Sequence, residues 1–421
     1  MDIKYETIKR SELEQLQLER LQVTINRVYR NVKFYRSLLD KANIAPEDIT
    51  SLDDLKKIPF TTKESLIENQ PYDMFALPLR DVVRLQSSSG TTREPIVVGY
   101  SRNDIEHWTE LVARVLNSGG VNKDDVVQIS FDYGLFTGAI GFHYGAEYIG
   151  ATVIPSSRIS AEKQINIMRN YRTTALVCTP TFALQLADIV KKSDISPAEL
   201  SLRVALIGSE PWSEPVRLEI EEGLHILALD NYGLSEIIGP GVSCECQEKN
   251  GLHIAEDHFI AEVINPDTEE LLPDGEVGEL VLTTITKEAF PVIRYRTGDL
   301  TSLDRSKCIC GRTLARMSRV AKRTDDLVIV QGVKIQPALI GQILTEIEGT
   351  EPHFRLRVDR SGAKDELEVR VEVSENIFFD EIRRMDALHE EIQKRLEEAL
   401  GFFVRVKLVE PNSIQRLNDS E

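Results

Sequence analysis

Leu13, Leu16, Leu21, Val23, Ile25 and Val28 stand at helical intervals among charged residues near the start of the chain. Such spacing lays an apolar stripe along a helix, so residues 1–60 read as a helical lead-in. From about residue 125 the pattern changes to short apolar runs closed by turn residues: DVVQISF, GATVIP, TALVCTP, RVALIGS and HILALDNYG. Segments suited to helices, such as 161–170 and 213–222, lie between them. The alternation predicts a mostly parallel sheet covered on both faces, with ligands gathering at the carboxyl ends of its strands. Two of those ends, IGSEPW and DNYGLSE, are polar and contain glycine. Over 258–300 the pattern is hairpin-like instead, with HFIAEVINP, the turn LPDGEVG and ELVLTTI forming an antiparallel unit.

Beyond the polar run KRTDD the rest reads as a small α+β unit, with strands near 327–335, 354–358, 367–373 and 403–409 and a charged helix at about 380–399. The predicted organisation is α/β: the lead-in over 1–60, the rest of a large domain over 61–322, and a mobile small domain over 323–421 hinged at that run.

Composition narrows the class of function. Of 421 residues, 68 are acidic and 50 basic, a formal charge of -18 that disfavours a nucleic-acid surface but leaves an anion-binding pocket open. Neither a signal peptide nor a membrane span is legible, and a cytoplasmic location with no membrane partner is expected. The five cysteines are odd in number and do not suggest a secreted disulfide framework. Cys308 and Cys310 form a Cys-x-Cys knuckle, and CECQEKNGLH supplies Cys244, Cys246 and His253; such clustering of thiols and imidazole points to a closed, structural zinc site. Cys178, inside an apolar strand, reads as a buried thiol.

The run QSSSGTTREP has two readings. It is a polar turn, or a phosphate-cradling loop in which Ser88, Ser89, Thr91 and Thr92 offer hydroxyls and Gly90 lets the backbone approach an anion. The decision comes from a resemblance. With PFTTKE at 59–64, SSSGTT, YGLFTGAIGFHYGAEYIGATVIP at 133–155, GSEPW, NYGLSE, GLHIAEDHF, GELVLTTITKEAFPVIRYRTGDL at 278–300 and RTDDLVIVQGVKIQP in this order, the chain resembles the phenylacetate-CoA ligase family of adenylate-forming enzymes.

That resemblance implies a large adenylate-forming domain followed by a mobile α+β domain, with ATP, Mg²⁺ and coenzyme A as reactants or cofactors and a small carboxylic acid, aryl or arylacetic, as substrate. A homodimer is left open. By residue-wise carry-over, Glu236 holds Mg²⁺ and is catalytic, and Tyr232 packs on adenine. Ser209, Glu210 and Pro211 line the adenine pocket, Asn231, Gly233 and Ser235 belong to the nucleotide site, and Asp299 accepts the ribose hydroxyls. Asp325 marks the hinge and also counts among the nucleotide-binding residues. Tyr133, Phe136, Gly138 and Ala139 are the candidates for the acyl pocket. Cys246, His253, Cys308 and Cys310 are the zinc ligands, with Cys244 in reserve.

Two positions depart from the family pattern. Arg93 and Glu94 replace the usual Gly-Lys after Thr-Thr, and Ser420 stands where the small domain's lysine reaches the α-phosphate. Arg93 and Arg416 are the candidate substitute cations. Three readings therefore stand at the level of sequence: an ATP-dependent acid:CoA ligase, a catalytically impaired nucleotide or acyl-CoA binding protein, and an adenylyl transferase that stops at the AMP ester.

Overall fold

The structure, a computed structural model, describes residues 4–88, 96–135, 137–157, 159–193, 195–320, 322–324, 328–330, 333–335, 337–347, 349–359, 366–374, 382–411 and 413–414. Ser89, Gly90, Thr91, Thr92, Arg93, Phe136, Asp325, Arg416 and Ser420 lie outside the described residues. The chain divides into two compact units, Met1–Lys322 and Arg323–Glu421.

The first unit opens with helices α1 (Arg10–Asn31), α2 (Lys33–Lys41) and α3 (Lys63–Glu68). On α1, Leu13, Leu21, Ile25 and Val28 are buried together with Gln17 and Thr24, whereas Val23 is 60% exposed. At 100° per residue Val23 lies about 160° from Leu21 by the shorter way round, so it falls on the solvent face. A hairpin of β1 (Arg84–Ser87) and β2 (Val97–Tyr100) follows, then α4 (Arg102–Ser118).

The sheet that positions the site is built next, from β3 (Val126–Ile129), α5 (Thr137–Tyr148), β4 (Thr152–Ile154), α6 (Ala161–Tyr171), β5 (Ala175–Cys178), α7 (Pro180–Lys192), β6 (Val204–Gly208), α8 (Glu214–Leu224) and β7 (Leu227–Leu234). Strands β4, β3, β5, β6 and β7 are parallel neighbours in that order. Every residue of β5 and β6 is buried, which is why both read as unbroken apolar runs. The sheet then turns antiparallel through β8 (Gly239–Glu245) and β9 (Leu252–Ile254). Three further strands, β10 (Phe259–Ile264), β11 (Gly278–Thr284) and β12 (Tyr295–Thr301), pair antiparallel in sequence order, as the hairpin pattern predicts. The large sheet is completed beyond β9 by β13 (Leu303–Asp304) and β14 (Arg316–Met317), β14 lying next to β9. It is therefore mixed, parallel in one half and antiparallel in the other.

In the second unit, strands Thr350–Asp359, Glu366–Val373 and Val404–Val409 form one sheet, the first pair antiparallel and the second parallel. Helices Pro337–Thr345 and Ile382–Leu400 accompany it, and Ile340, Leu344, Ile392 and Leu396 share its apolar core with Val369 and Val371.

Candidate functional site

The strand ends meet around a small cleft. β6 ends in Gly208, whose close approach to β7 admits no side chain: a Cβ there would sit 2.4 Å from the Asn231 carbonyl oxygen. Ser209 follows with φ +76°, a left-handed conformation that turns the chain sharply out of the sheet. Glu210 accepts a 2.6 Å hydrogen bond from the Thr181 hydroxyl, and Pro211 is exposed. On β7, the Asn231 amide donates to the Ile207 carbonyl at 2.8 Å and ties the two strand ends together. Phe131, Gly138 and Phe142 face Ser209, Asn231, Gly233 and Ser235 across a cleft of about 40 Å³, with Thr137, Gly239 and Pro240 completing the wall.

The structure thus brings Gly138, Ser209, Asn231, Gly233 and Ser235 together. Ala139 is fully buried in the hydrophobic core and is not among the lining residues. Tyr133 is half-buried beside helix α5, its hydroxyl 3.2 Å from Nδ1 of His143, and burial pushes its phenol up. Phe131, Thr137 and Phe142 are missed by the sequence reading. Gly138 and Phe142 are four apart on α5 and share a face, a signal hidden because TGAIGFHYG resembles a loop more than a helix.

Beside the cleft, Tyr232 donates a 2.6 Å hydrogen bond from its hydroxyl to Oδ2 of the buried Asp299 on β12. Thr297 Oγ1 accepts from the Asp299 amide at 3.1 Å. Ser88, the residue after β1, accepts at its hydroxyl from the Ile96 amide at 3.0 Å. Asp230 is pushed from 3.8 up to about 6 by burial and by Glu245, against the pull of Arg319. Arg319 donates to Asp230, Glu214 and the Trp212 carbonyl, and its guanidinium lies 4.4 Å from the Trp212 ring centroid. Glu245 is also held by the buried Arg217, whose nitrogen lies 2.8 and 2.9 Å from the two carboxylate oxygens.

Glu236 is buried in the turn between β7 and β8. On one side of it the Ser235 hydroxyl lies 3.1 Å from that of Thr137. On the other, Lys287 donates to the Ile237 carbonyl at 2.8 Å. Lys287 is itself buried, and burial pushes its ammonium down to about 8 despite the opposing charges of Asp104 and Glu236. It belongs to the quoted motif TTITKEAFP, yet nothing in a linear reading links it to a residue fifty positions away.

A second group lies where the loop after β8 meets the knuckle between β13 and β14. One ligating atom each from Cys246, His253, Cys308 and Cys310 falls within 4.8 Å of all the others, an arrangement that could hold a metal ion. The Cys246 and Cys308 sulfurs are 3.9 Å apart, and Cys310 Sγ is 3.5 Å from His253 Nε2. Burial, helped by Arg312 and Arg316, pushes His253 down to about 4, so the imidazole is neutral near pH 7. Cys244 is outside this group, with its sulfur 3.3 Å from the Ser118 hydroxyl, and Cys178 is fully buried. The knuckle fastens the start of the chain: Arg312 pairs with Glu6 at 2.9 Å, and Arg10 grips Glu256 with two 2.8 Å hydrogen bonds.

Comparison with known proteins yields a consistent set of matches. A family model described as AMP-binding enzyme matches residues 13–286, and one described as AMP-binding enzyme C-terminal domain matches residues 332–420. The phenylacetate-coenzyme A ligase of Thermus thermophilus is 44% identical over 424 residues, covering 98% of this chain and 95% of that protein. The Escherichia coli protein of the same description is 44% identical over 98% of this chain and 94% of its own. Among solved structures, 2-hydroxyisobutyryl-CoA ligase in a postadenylation state with R3-HIB-AMP superimposes with a TM-score of 0.81 at 26% identity, covering 98% of this chain and 89% of that one. The same ligase with 2-HIB-AMP and CoA in a thioesterification state gives 0.75 at 27% identity and the same coverage.

Proposed function

The chain belongs to the phenylacetate-CoA ligase family of AMP-binding enzymes and is an ATP-dependent, AMP-forming acid:CoA ligase, and we propose that its acid is an aryl or arylacetic acid such as phenylacetate. What carries the proposal is the match to phenylacetate-CoA ligases over nearly the whole of both chains.

In the first half-reaction a carboxylate oxygen attacks the α-phosphorus of ATP, the bond to the β,γ-diphosphate breaks, and acyl-AMP and pyrophosphate form. In the second, the CoA thiolate attacks the acyl carbon and AMP leaves. The protein's task is positioning and charge. Asp299, aligned by the Tyr232 hydroxyl, takes the ribose hydroxyls, and the Tyr232 ring flanks adenine with Ser209, Glu210 and Pro211. The loop from Ser88 to Thr92 receives phosphate oxygens, with Arg93 or Arg416 supplying the cation. Glu236 would hold Mg²⁺ as a hard oxygen ligand, and the bound ion would neutralise charge on the phosphates. Asp325 serves as the hinge between the half-reactions. A reaction that consumes ATP and CoA, with five free cysteines in the chain, supports a cytoplasmic location.

Zinc fits the second group. Zn–S bonds of about 2.3 Å and Zn–N bonds of about 2.0 Å in a tetrahedron separate two sulfurs by about 3.8 Å and sulfur from nitrogen by about 3.5 Å, and the corresponding distances here are 3.9 and 3.5 Å. Three cysteines and a histidine close the coordination and leave no place for substrate, so the ion's role is structural.

The reading is tested by pyrophosphate exchange and CoA-dependent AMP release with a panel of arylacetic, benzoic and short aliphatic acids. Arylacetic acids are expected to support both at the lowest concentrations. A preference for aliphatic acids would remove the aryl assignment while leaving the ligase chemistry in place.

A further inference from the structure

A buried lysine is costly: removing an ammonium from water is penalised unless nearby groups compensate. Lys287 is 97% buried, yet its hydrogen bond goes to a neutral acceptor, the Ile237 carbonyl, and a neutral donor could have made that bond. Its surroundings explain the charge. The ammonium lies 4.6 Å from the Tyr100 ring centroid and 5.5 Å from that of Phe290, both faces attractive to a cation. The carboxylates whose charge it feels are Asp104 and Glu236.

The chain on either side of Lys287 is held. Asp104 is fully buried and accepts from the amides of Ser101, Glu288 and Ala289 at 2.8, 2.7 and 3.0 Å, which clamps the backbone on the C-terminal side of Lys287. Thr286, on the other side, lies 2.8 Å from Nδ1 of His258. The lysine therefore projects from a rigid segment onto the turn that follows Glu236. Three carbonyls of that stretch are held by buried side-chain donors: Ile237 by Lys287, Ile238 by the Tyr100 hydroxyl at 2.9 Å, and Pro240 by the Trp108 indole at 2.9 Å. Tyr100 and Trp108 stack with ring centroids 5.1 Å apart, so the donors form one block.

We propose that Lys287 is a positioning residue for adenylation: by holding the Ile237 carbonyl and placing its charge near Glu236, it fixes the direction of that carboxylate toward the metal–nucleotide complex. The proposal rests on the assignment of Glu236 to Mg²⁺ and adds to it a residue that touches neither substrate nor ion. Its effect is confined to the half-reaction that needs the divalent cation. The second half-reaction, attack of CoA on an acyl-AMP already formed, does not draw on it.

The test uses the full-length enzyme. Lys287→Met is expected to lower kcat for ATP–pyrophosphate exchange tenfold or more. Its dissociation constant for a non-hydrolysable acyl-adenylate analogue, measured by calorimetry without divalent cation, stays within twofold of wild type, as does its rate of thioester formation from supplied acyl-adenylate. Lys287→Arg, which keeps donor and charge, recovers most of the loss. In a Glu236→Gln background, Lys287→Met adds less than a further twofold. Tyr100→Phe keeps the ring and removes the hydroxyl bond to Ile238; it should slow exchange severalfold and gives a second reading if the methionine variant does not fold. Full exchange in Lys287→Met, equal loss in both half-reactions, or losses that multiply with that of Glu236→Gln would each overturn the positioning role. Full exchange in Glu236→Gln alone would instead remove the magnesium assignment beneath it.

Discussion

At Asp299 a single carboxylate is held by a 2.6 Å hydrogen bond from Tyr232 and aligned by Thr297 through its own amide, which leaves it rigid before any ligand arrives. If it receives the ribose hydroxyls, Asp299→Ala should weaken ATP binding by about 1.5 to 3 kcal/mol, the usual cost of deleting a charged hydrogen-bond partner; unchanged affinity in calorimetry would take Asp299 off the ribose. Asp230 offers a prediction about pH. Its carboxyl stands near 6 in the folded protein, through burial and the charge of Glu245, against 3.8 as the ordinary value. The folded state therefore binds the extra proton between those values. The stability this group contributes is full below about pH 3.8 and is lost as pH rises through 6, a change of about 3 kcal/mol. Asp230→Asn lacks this titration, so its stability relative to wild type should rise by about that amount between pH 3.5 and 7 in denaturant unfolding; parallel profiles would show that Asp230 titrates normally. At this scale motif order drew Ser209, Asn231, Gly233 and Ser235 into one candidate site. Lys287, Tyr100, Thr137 and Phe142 escaped, because each acts through a contact with a segment distant in sequence and carries no local signature.

Among elements, legibility followed apolarity. Strands β3 to β7 read directly from their apolar runs, and β5 and β6 at the centre of that half are buried at every residue. β8 did not: GPGVSCE contains glycines, a proline and polar residues, yet all seven positions are buried, with pairing to β7 and β9 rather than apolarity setting its place. Helix α5 was hidden for a related reason. A Cβ at Gly145 would lie 2.9 Å from the backbone of Val112 and Ala113, and one at Gly141 would lie 2.6 Å from the Trp108 ring, so glycines that look like loop residues are there to let two helices touch. The knuckle carries its own prediction. A metal that closes Cys246, His253, Cys308 and Cys310 contributes folding free energy because the unfolded chain has no such site. Cys308→Ser should lose the metal and melt about 5 °C or more below wild type, with ATP affinity within twofold. Elemental analysis showing well under one zinc per wild-type chain would end the zinc assignment.

For the whole molecule the question is how two units complete one reaction. The solved 2-hydroxyisobutyryl-CoA ligase structures carry the descriptions postadenylation, thioesterification and open, so that enzyme is seen in different states at different stages. The C-terminal family match in this chain runs over residues 332–420 and includes Ser420, where the family resemblance expects the lysine that reaches the α-phosphate. Charge developing on phosphate oxygens is stabilised most by a cation close to them, and that stabilisation is larger in the transition state than in the bound substrate. If the position is otherwise as in the family, Ser420→Lys should raise pyrophosphate exchange about tenfold or more with a cognate acid. Thioester formation from supplied acyl-adenylate should stay nearly unchanged, because the α-phosphate is by then part of the leaving group. The alternative assigns the missing charge to the large unit. Brisk exchange in wild type, abolished by Arg93→Ala and indifferent to Ser420→Lys, would show that the cation has moved from the small unit to the phosphate loop. The substitution of Gly-Lys by Arg93 and Glu94 and the serine at 420 would then be two halves of one rearrangement, with adenylation depending less on the small unit's placement than the family pattern implies.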